Sequence, residues 1–157
     1  MPLTKGRKYP KLGDMKGRIL AVDYGERRVG LALSDPLGIT AQGLETVEVN
    51  SLKEAISTIK RLLVEHDVKE VVVGHPRNMD GTEGEAAVRV SRFAHTLERE
   101  TGLRVKLWDE RLTSVAALRA MHEMDVKIKG RKGKLDSIAA TMILQSYLNF
   151  IRRDRGG

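Results

Sequence analysis

Residues 18–34 read RILAVDYGERRVGLALS, and the fold turns on this stretch. Residues 18–23 (RILAVD) and 29–34 (VGLALS) are short apolar runs separated by Tyr24-Gly25-Glu26-Arg27-Arg28, the pattern of two strands joined by a tight turn. Residues 39–49 form a weaker third strand, with Thr40, Thr46, Val47 and Val49 and some alternation. Ser51 follows as a helix N-cap with Glu54 at capping-box spacing, and Leu52, Ile56, Ile59, Leu62 and Leu63 recur at helical intervals to about His66. Residues 69–74 (KEVVVG) look like a central strand covered on both faces. A glycine-rich loop over 75–84 then leads to a helix over 85–101, a strand over 104–108, a helix near 114–124 and a last helix over about 134–150. Three strands close together, then alternating helices and strands, make a mixed α/β sheet with helices on its faces. In such sheets ligand chemistry gathers at the carboxyl ends of the strands.

The whole chain has 157 residues, enough for one domain, and it divides into a flexible basic arm (1–16), one domain (17–151) and a basic tail (152–157). It is 41% hydrophobic and 31% charged, which excludes a disordered or membrane-embedded protein. No stretch of about 18 apolar residues and no signal-peptide core occurs. The absence of Cys excludes disulfides, zinc-thiolate sites, iron–sulfur clusters and cysteine catalysis, and suits a reducing cytoplasm. The formal charge of +7 favours a polyanionic partner. It is unevenly spread. Residues 1–17 carry +4, residues 127–134 carry +5 and residues 152–155 carry +2, which leaves the rest at −4.

Three acids stand where a site is expected. Asp23 ends the first strand, and a carboxylate there either meets a cation or accepts backbone N–H bonds in the hairpin turn. Asp109 and Glu110 follow the strand over 104–108, and alternation lets one of the pair face a given site. Their other reading is a helix entrance capped by Thr113 or Ser114. Asp136 opens the last helix, facing the sheet or capping the helix. Carboxylates suit a hard divalent cation shared with substrate phosphates. The four histidines lack metal spacing and no H-E-x-x-H occurs. Neither a nucleophile elbow nor a phosphate-binding G-x-x-x-x-G-K-[ST] is present. Six scattered aromatics offer no stacking platform, so recognition of backbone and shape is expected. An actin-like kinase also starts with a strand, turn and strand containing Asp-x-Gly, but needs two such domains.

Four motifs stand in order: Asp23-Tyr24-Gly25-Glu26-Arg27-Arg28-Val29-Gly30, then Val73-Gly74 with Pro76 and Asn78-Met79-Asp80-Gly81-Thr82, then Asp109-Glu110-Arg111-Leu112-Thr113-Ser114, then Asp136-Ser137-Ile138-Ala139-Ala140. From about Gly17 to Leu148 the chain closely resembles the bacterial YqgF-type family of pre-16S ribosomal RNA nucleases and Holliday junction resolvases. The resemblance implies a ribonuclease-H-like fold, a five-stranded mixed sheet with its first three strands antiparallel, flanked by helices. It also implies that Asp23, Glu110 and Asp136 form a catalytic triad binding Mg²⁺, with Mn²⁺ able to substitute. Arg28 and Arg111 match basic positions that contact phosphate or steady the acids by salt bridges. Asn78, Asp80 and the loop over 81–84 lie beside the site. His75 and Arg77 depart from the apolar residues usual there. Lys129, Arg131 and Lys132, in a loop leading to Asp136, are expected to grip backbone phosphate. The implied activity is Mg²⁺-dependent endonucleolytic hydrolysis of structured RNA, at the 5′ end of pre-16S rRNA, with four-way DNA junctions as the alternative substrate. A non-catalytic nucleic-acid-binding module remains a further alternative. A monomer or a homodimer with no membrane partner is expected, and resolving a symmetric junction would require the dimer.

Overall fold

The computed structural model describes residues 17–115, 118 and 132–156. The basic arm (1–16), most of the helix expected over 114–124, and Lys129 and Arg131 lie outside the described residues. The elements are β1 (Arg18–Tyr24), β2 (Arg28–Ser34), β3 (Ala41–Gly43), β4 (Val47–Glu48), α1 (Leu52–Glu65), β5 (Val68–His75), α2 (Glu85–Thr101), β6 (Arg104–Asp109), a short 3-10 turn (Glu110–Leu112) and a last helix, here α3 (Lys132–Gly156).

The sheet runs β3-β2-β1-β5-β6, with β4 also pairing β2. The hairpin β1–β2 is antiparallel, as are β2–β3 and β2–β4, while β1–β5 and β5–β6 are parallel. This is the expected mixed sheet with one refinement. The third strand is broken, because β3 and β4 pair β2 at separate places: Ala32 opposite Gly43, and Val29 opposite Val47. Between them the Leu44 N–H donates to the Leu31 carbonyl (2.9 Å), which keeps the connecting segment against β2.

Strand alternation divides the core into two layers. Leu20, Val22, Val71 and Val73 face α1 and α2, packing on Ile56, Ile59, Phe93 and Leu97. Ile19, Ala21, Ala32 and Val72 face α3, packing on Ala140, Ile143, Leu144 and Tyr147. Consecutive valines in β5, Val71 to Val73, therefore serve opposite layers, which explains the unbroken apolar run at its centre. The cap of α1 forms as expected: Ser51 Oγ accepts from the Glu54 N–H (3.1 Å). The reciprocal bond reaches one residue further back, with Glu54 Oε2 accepting from the Asn50 N–H (3.3 Å).

The limits of α3 differ from expectation at both ends. It begins at Lys132, so residues 132–134 belong to the helix and not to a loop, and Asp136 sits in the second turn instead of opening the helix. At the other end the helix continues to Gly156, so residues 152–156 prolong it where a tail was expected. No helix among the described residues is long and apolar enough to cross a membrane.

Candidate active site

Asp23 continues the series Ile19, Ala21 on the face of β1 that looks toward α3. Directly across the antiparallel pair stands Gly30. Across the parallel pair, one step beyond the partners Val22 and Val73, stands Gly74. Ala32 and Val72 assign both glycines to the same face. Asp23 is thus flanked on each side by a position without a side chain, at the carboxyl end of β1.

Other elements occupy that space. A Cβ on Gly74 would stand 2.7 Å from Glu110 Oε2 and 2.5 Å from Ile143 Cδ1. On Gly30 it would collide with the backbone carbonyl of Asp136. Glycine inside a strand often marks such a close approach. One glycine therefore admits the carboxylate that follows β6 and the other admits the second turn of α3. The fold brings Asp23, Glu110 and Asp136 to one end and one face of the sheet.

Asp23 and Glu110 are only 7% and 5% exposed. Desolvating two carboxylates costs several kcal/mol per ion unless opposite charge or hydrogen bonds offset it. Asp136 is half-buried, and its Oδ2 accepts from Arg28 Nε at 2.9 Å. Arg28 lies two residues from Gly30 on the same face of β2, which is how it reaches α3. An all-oxygen set at a glycine-lined cradle fits Mg²⁺, a hard cation commonly held by one or two carboxylates and substrate phosphates. The three acids are not gathered as a preformed ligand set: among the described residues, no three His, Cys, Asp or Glu side chains form a group that could hold a metal ion. The ion pair with Arg28 gives Asp136 a different cationic partner.

Asp109 points away from Glu110's position, as alternation requires. Its carboxylate receives Arg111 Nε (3.0 Å to Oδ2) and Nη2 (2.7 Å), and it caps the 3-10 turn through the Arg111 N–H (2.9 Å). Hydrogen bonding to the Arg111 side chain holds the Asp109 carboxyl below its usual range. Arg111 also donates to the Met79 carbonyl (3.2 Å), and Arg77 donates to that of Gly81. Arg111 therefore ties the loop over 76–84 to the end of the sheet, while Arg77 closes the loop on itself and stands 4.0 Å from Asp109. Asn78 turns inward on the same loop, its amide donating to Thr82 Oγ1 (2.9 Å). His75 pairs with Glu83 (2.9 Å), joining that loop to the end of β5. Thr113 Oγ1 accepts from the Val115 N–H (3.1 Å), a capping contact like the one expected there.

Sequence reasoning placed the acids and missed the glycines that make room for them. The available signal was Gly30 and Gly74 themselves, each inside an apolar run where glycine weakens a strand. Of the basic trio expected at phosphate, Lys132 begins α3, and Lys129 and Arg131 lie outside the described residues.

The architecture is a ribonuclease-H-like fold of the resolvase type. It is shared with RuvC of Thermus thermophilus, solved in complex with a Holliday junction substrate, at TM-score 0.55 and 13% identity, covering 85% of this chain and 96% of that one. A second Thermus thermophilus RuvC structure aligns at TM-score 0.54 and 12% identity over the same shares. The particular family follows from sequence. The RuvX family model, described as Holliday junction resolvase, matches residues 17–150, and the chain belongs to that family. Relatives bearing the name "Putative pre-16S rRNA nuclease" include one from Halothermothrix orenii, 45% identical over 139 residues (88% of this chain, 99% of the relative). Another, from Listeria innocua, is 48% identical over 134 residues (84% and 97%).

Proposed function

We propose that this chain is a divalent-metal-dependent nuclease acting on structured nucleic acid, with processing of the 5′ end of pre-16S rRNA as its first substrate. The observation that carries the reading is the cradle around Asp23: a buried carboxylate between two glycines, with Glu110 over one and Asp136 over the other. The names of the curated relatives favour RNA, and the description of the family favours four-way DNA as the second reading.

Asp23 and Glu110 would hold the cation, and Asp136 would join them on leaving Arg28. Mg²⁺, or Mn²⁺ in its place, would supply charge for the developing oxyanion and lower the pKa of an attacking water. Arg28, once released, would meet a substrate phosphate at the same edge. Burial of the two acids keeps bulk water from competing for their oxygens. The reaction is in-line attack of water on phosphorus with departure of the 3′ oxygen.

Asp23→Asn tests this. The variant is expected to stay folded in EDTA, because Asn has the shape and volume of Asp. It should lose the rise in melting temperature that Mg²⁺ gives the unmodified chain, and with it cleavage of both a 16S precursor and a four-way junction. An Asp23→Asn variant that still cleaves at the original rate, or still gains stability from Mg²⁺, would overturn the assignment. Mapping the ends of both products side by side decides between the substrates.

A further inference from the structure

Beside the turn that carries Glu110, an open groove of about 520 Å³ runs along the flank of α3. Residues 111–114 form one wall and a stripe of α3 from Met142 to Arg153 forms the other. The stripe positions recur at steps of three and four, so they share one helical face. Among the described residues, no Asp or Glu lines the groove.

Its polar groups are biased toward donation. The Trp108 indole N–H donates to Ser146 Oγ (3.2 Å), which leaves the Ser146 hydroxyl proton available. Asn149 Oδ1 accepts from Gln145 (3.0 Å) and Arg152 (2.6 Å), so the side of Asn149 with hydrogen-bonding capacity left is its NH₂. The Arg111 guanidinium turns to Asp109 and the Met79 carbonyl, so Arg111 borders the groove without lending it a donor, and Gln145 spends its NH₂ on Asn149 Oδ1 and the Ile39 carbonyl (3.5 Å), which leaves its Oε1 as the acceptor here. Arg153 stands exposed at the far end. From Met142 to Arg153 the helix rises about 16 Å. The groove is therefore long enough for more than one phosphate of a strand.

We infer that this groove holds the sugar-phosphate backbone of the substrate strand as it leaves the carboxylates at Asp23 and Glu110. Two features carry it: a lining without acids that holds the cation of Arg153 and spare donors on Ser146 and Asn149, and an origin at Arg111, next in the chain to Glu110. The inference rests on the nuclease reading and extends it to a contact surface made by the outer flank of α3.

Binding in EDTA, where no cleavage competes, tests it by fluorescence anisotropy across about 50 to about 200 mM KCl. The probes are a labelled RNA hairpin with a single-stranded 5′ extension and a labelled four-way DNA junction. Arg153→Ala is expected to weaken binding roughly three- to tenfold at the low-salt end and to reduce the slope of log K against log salt by about 1. Arg153→Lys should restore the slope. Lys53→Ala, on α1 across the sheet, should change neither. Equal losses in Arg153→Ala and Lys53→Ala, or no loss in either, overturn the groove while leaving the nuclease reading intact. Failure of the unmodified chain to bind either probe overturns both.

Discussion

At the scale of single residues, the site depends on two missing side chains as much as on three acids. Gly30 and Gly74 are equivalent by strand position, yet their neighbours differ: backbone of α3 at Gly30, the ends of two side chains at Gly74. Backbone cannot move without shifting the helix, whereas Ile143 Cδ1 and Glu110 Oε2 can rotate away. Gly30→Ala is therefore expected to cost about 1–3 kcal/mol, the usual range for overpacking, and Gly74→Ala less. Urea unfolding midpoints check the order. Gly74→Ala should nonetheless lose most Mg²⁺-dependent cleavage while remaining folded, since it displaces the Glu110 carboxylate. A fully active Gly74→Ala protein would mean that this carboxylate position is immaterial. The acids were legible in the sequence because a charged residue ending an apolar run is a local signal. The partnership of Arg28 with Asp136 was legible only as one of two alternatives, since those residues stand 108 apart in the chain.

At the scale of elements, the loop over 76–84 shows how a segment without regular structure is held. Glu83 accepts hydrogen bonds from His75 and Ser91, which hold its carboxyl below the usual range. Asp80 is lowered in the same way, by Thr82. In both, the charged form is the one the folded loop favours. That contribution is complete above the unfolded carboxyl range of about 3.9–4.3, and it is lost as the pH falls through the lower folded values. Both groups are exposed, so the effect is small and local. Amide exchange of the loop compared between the unmodified chain and Glu83→Gln is expected to differ near pH 6 and to converge below about pH 4. A difference that persists into strong acid would show that the Glu83 charge is irrelevant. The boundaries of α1, β5, α2 and β6 follow local periodicity and capping, and the sequence placed them within a residue or two. The break between β3 and β4 depends on pairing with β2, for which 39–49 carries no local marker.

At the scale of the whole molecule, the central sheet separates two apolar layers, and one of them touches the site. Ile143 and Leu97 are both fully buried, in opposite layers. Truncating either to Ala is expected to cost about 2–5 kcal/mol, the range for large-to-small changes in a core. Ile143→Ala should also lower Mg²⁺-dependent cleavage at a temperature where both variants are folded, because Ile143 packs at Gly74 beneath Glu110. Leu97→Ala should retain cleavage in proportion to its folded fraction. Equal activity in the two variants would separate the site from the α3 layer. Charge is likewise divided: the basic excess behind the net +7 lies in residues 1–17, 127–134 and 152–155, and the rest of the chain, which carries Asp23, Glu110 and Asp136, is net acidic.

The order of elements, the two-faced strand β5 and the positions of Asp23 and Glu110 at strand ends were determined by the sequence alone. Periodicity, capping and position at the end of an apolar run are properties of neighbouring residues. Tertiary structure decided the close approach of Glu110 and α3 on either side of Asp23, the engagement of Asp136 by Arg28, the hold of Arg111 on the loop, and the acid-free flank of α3. Each of these depends on distances between elements remote in sequence, which exist only once the sheet has set their register.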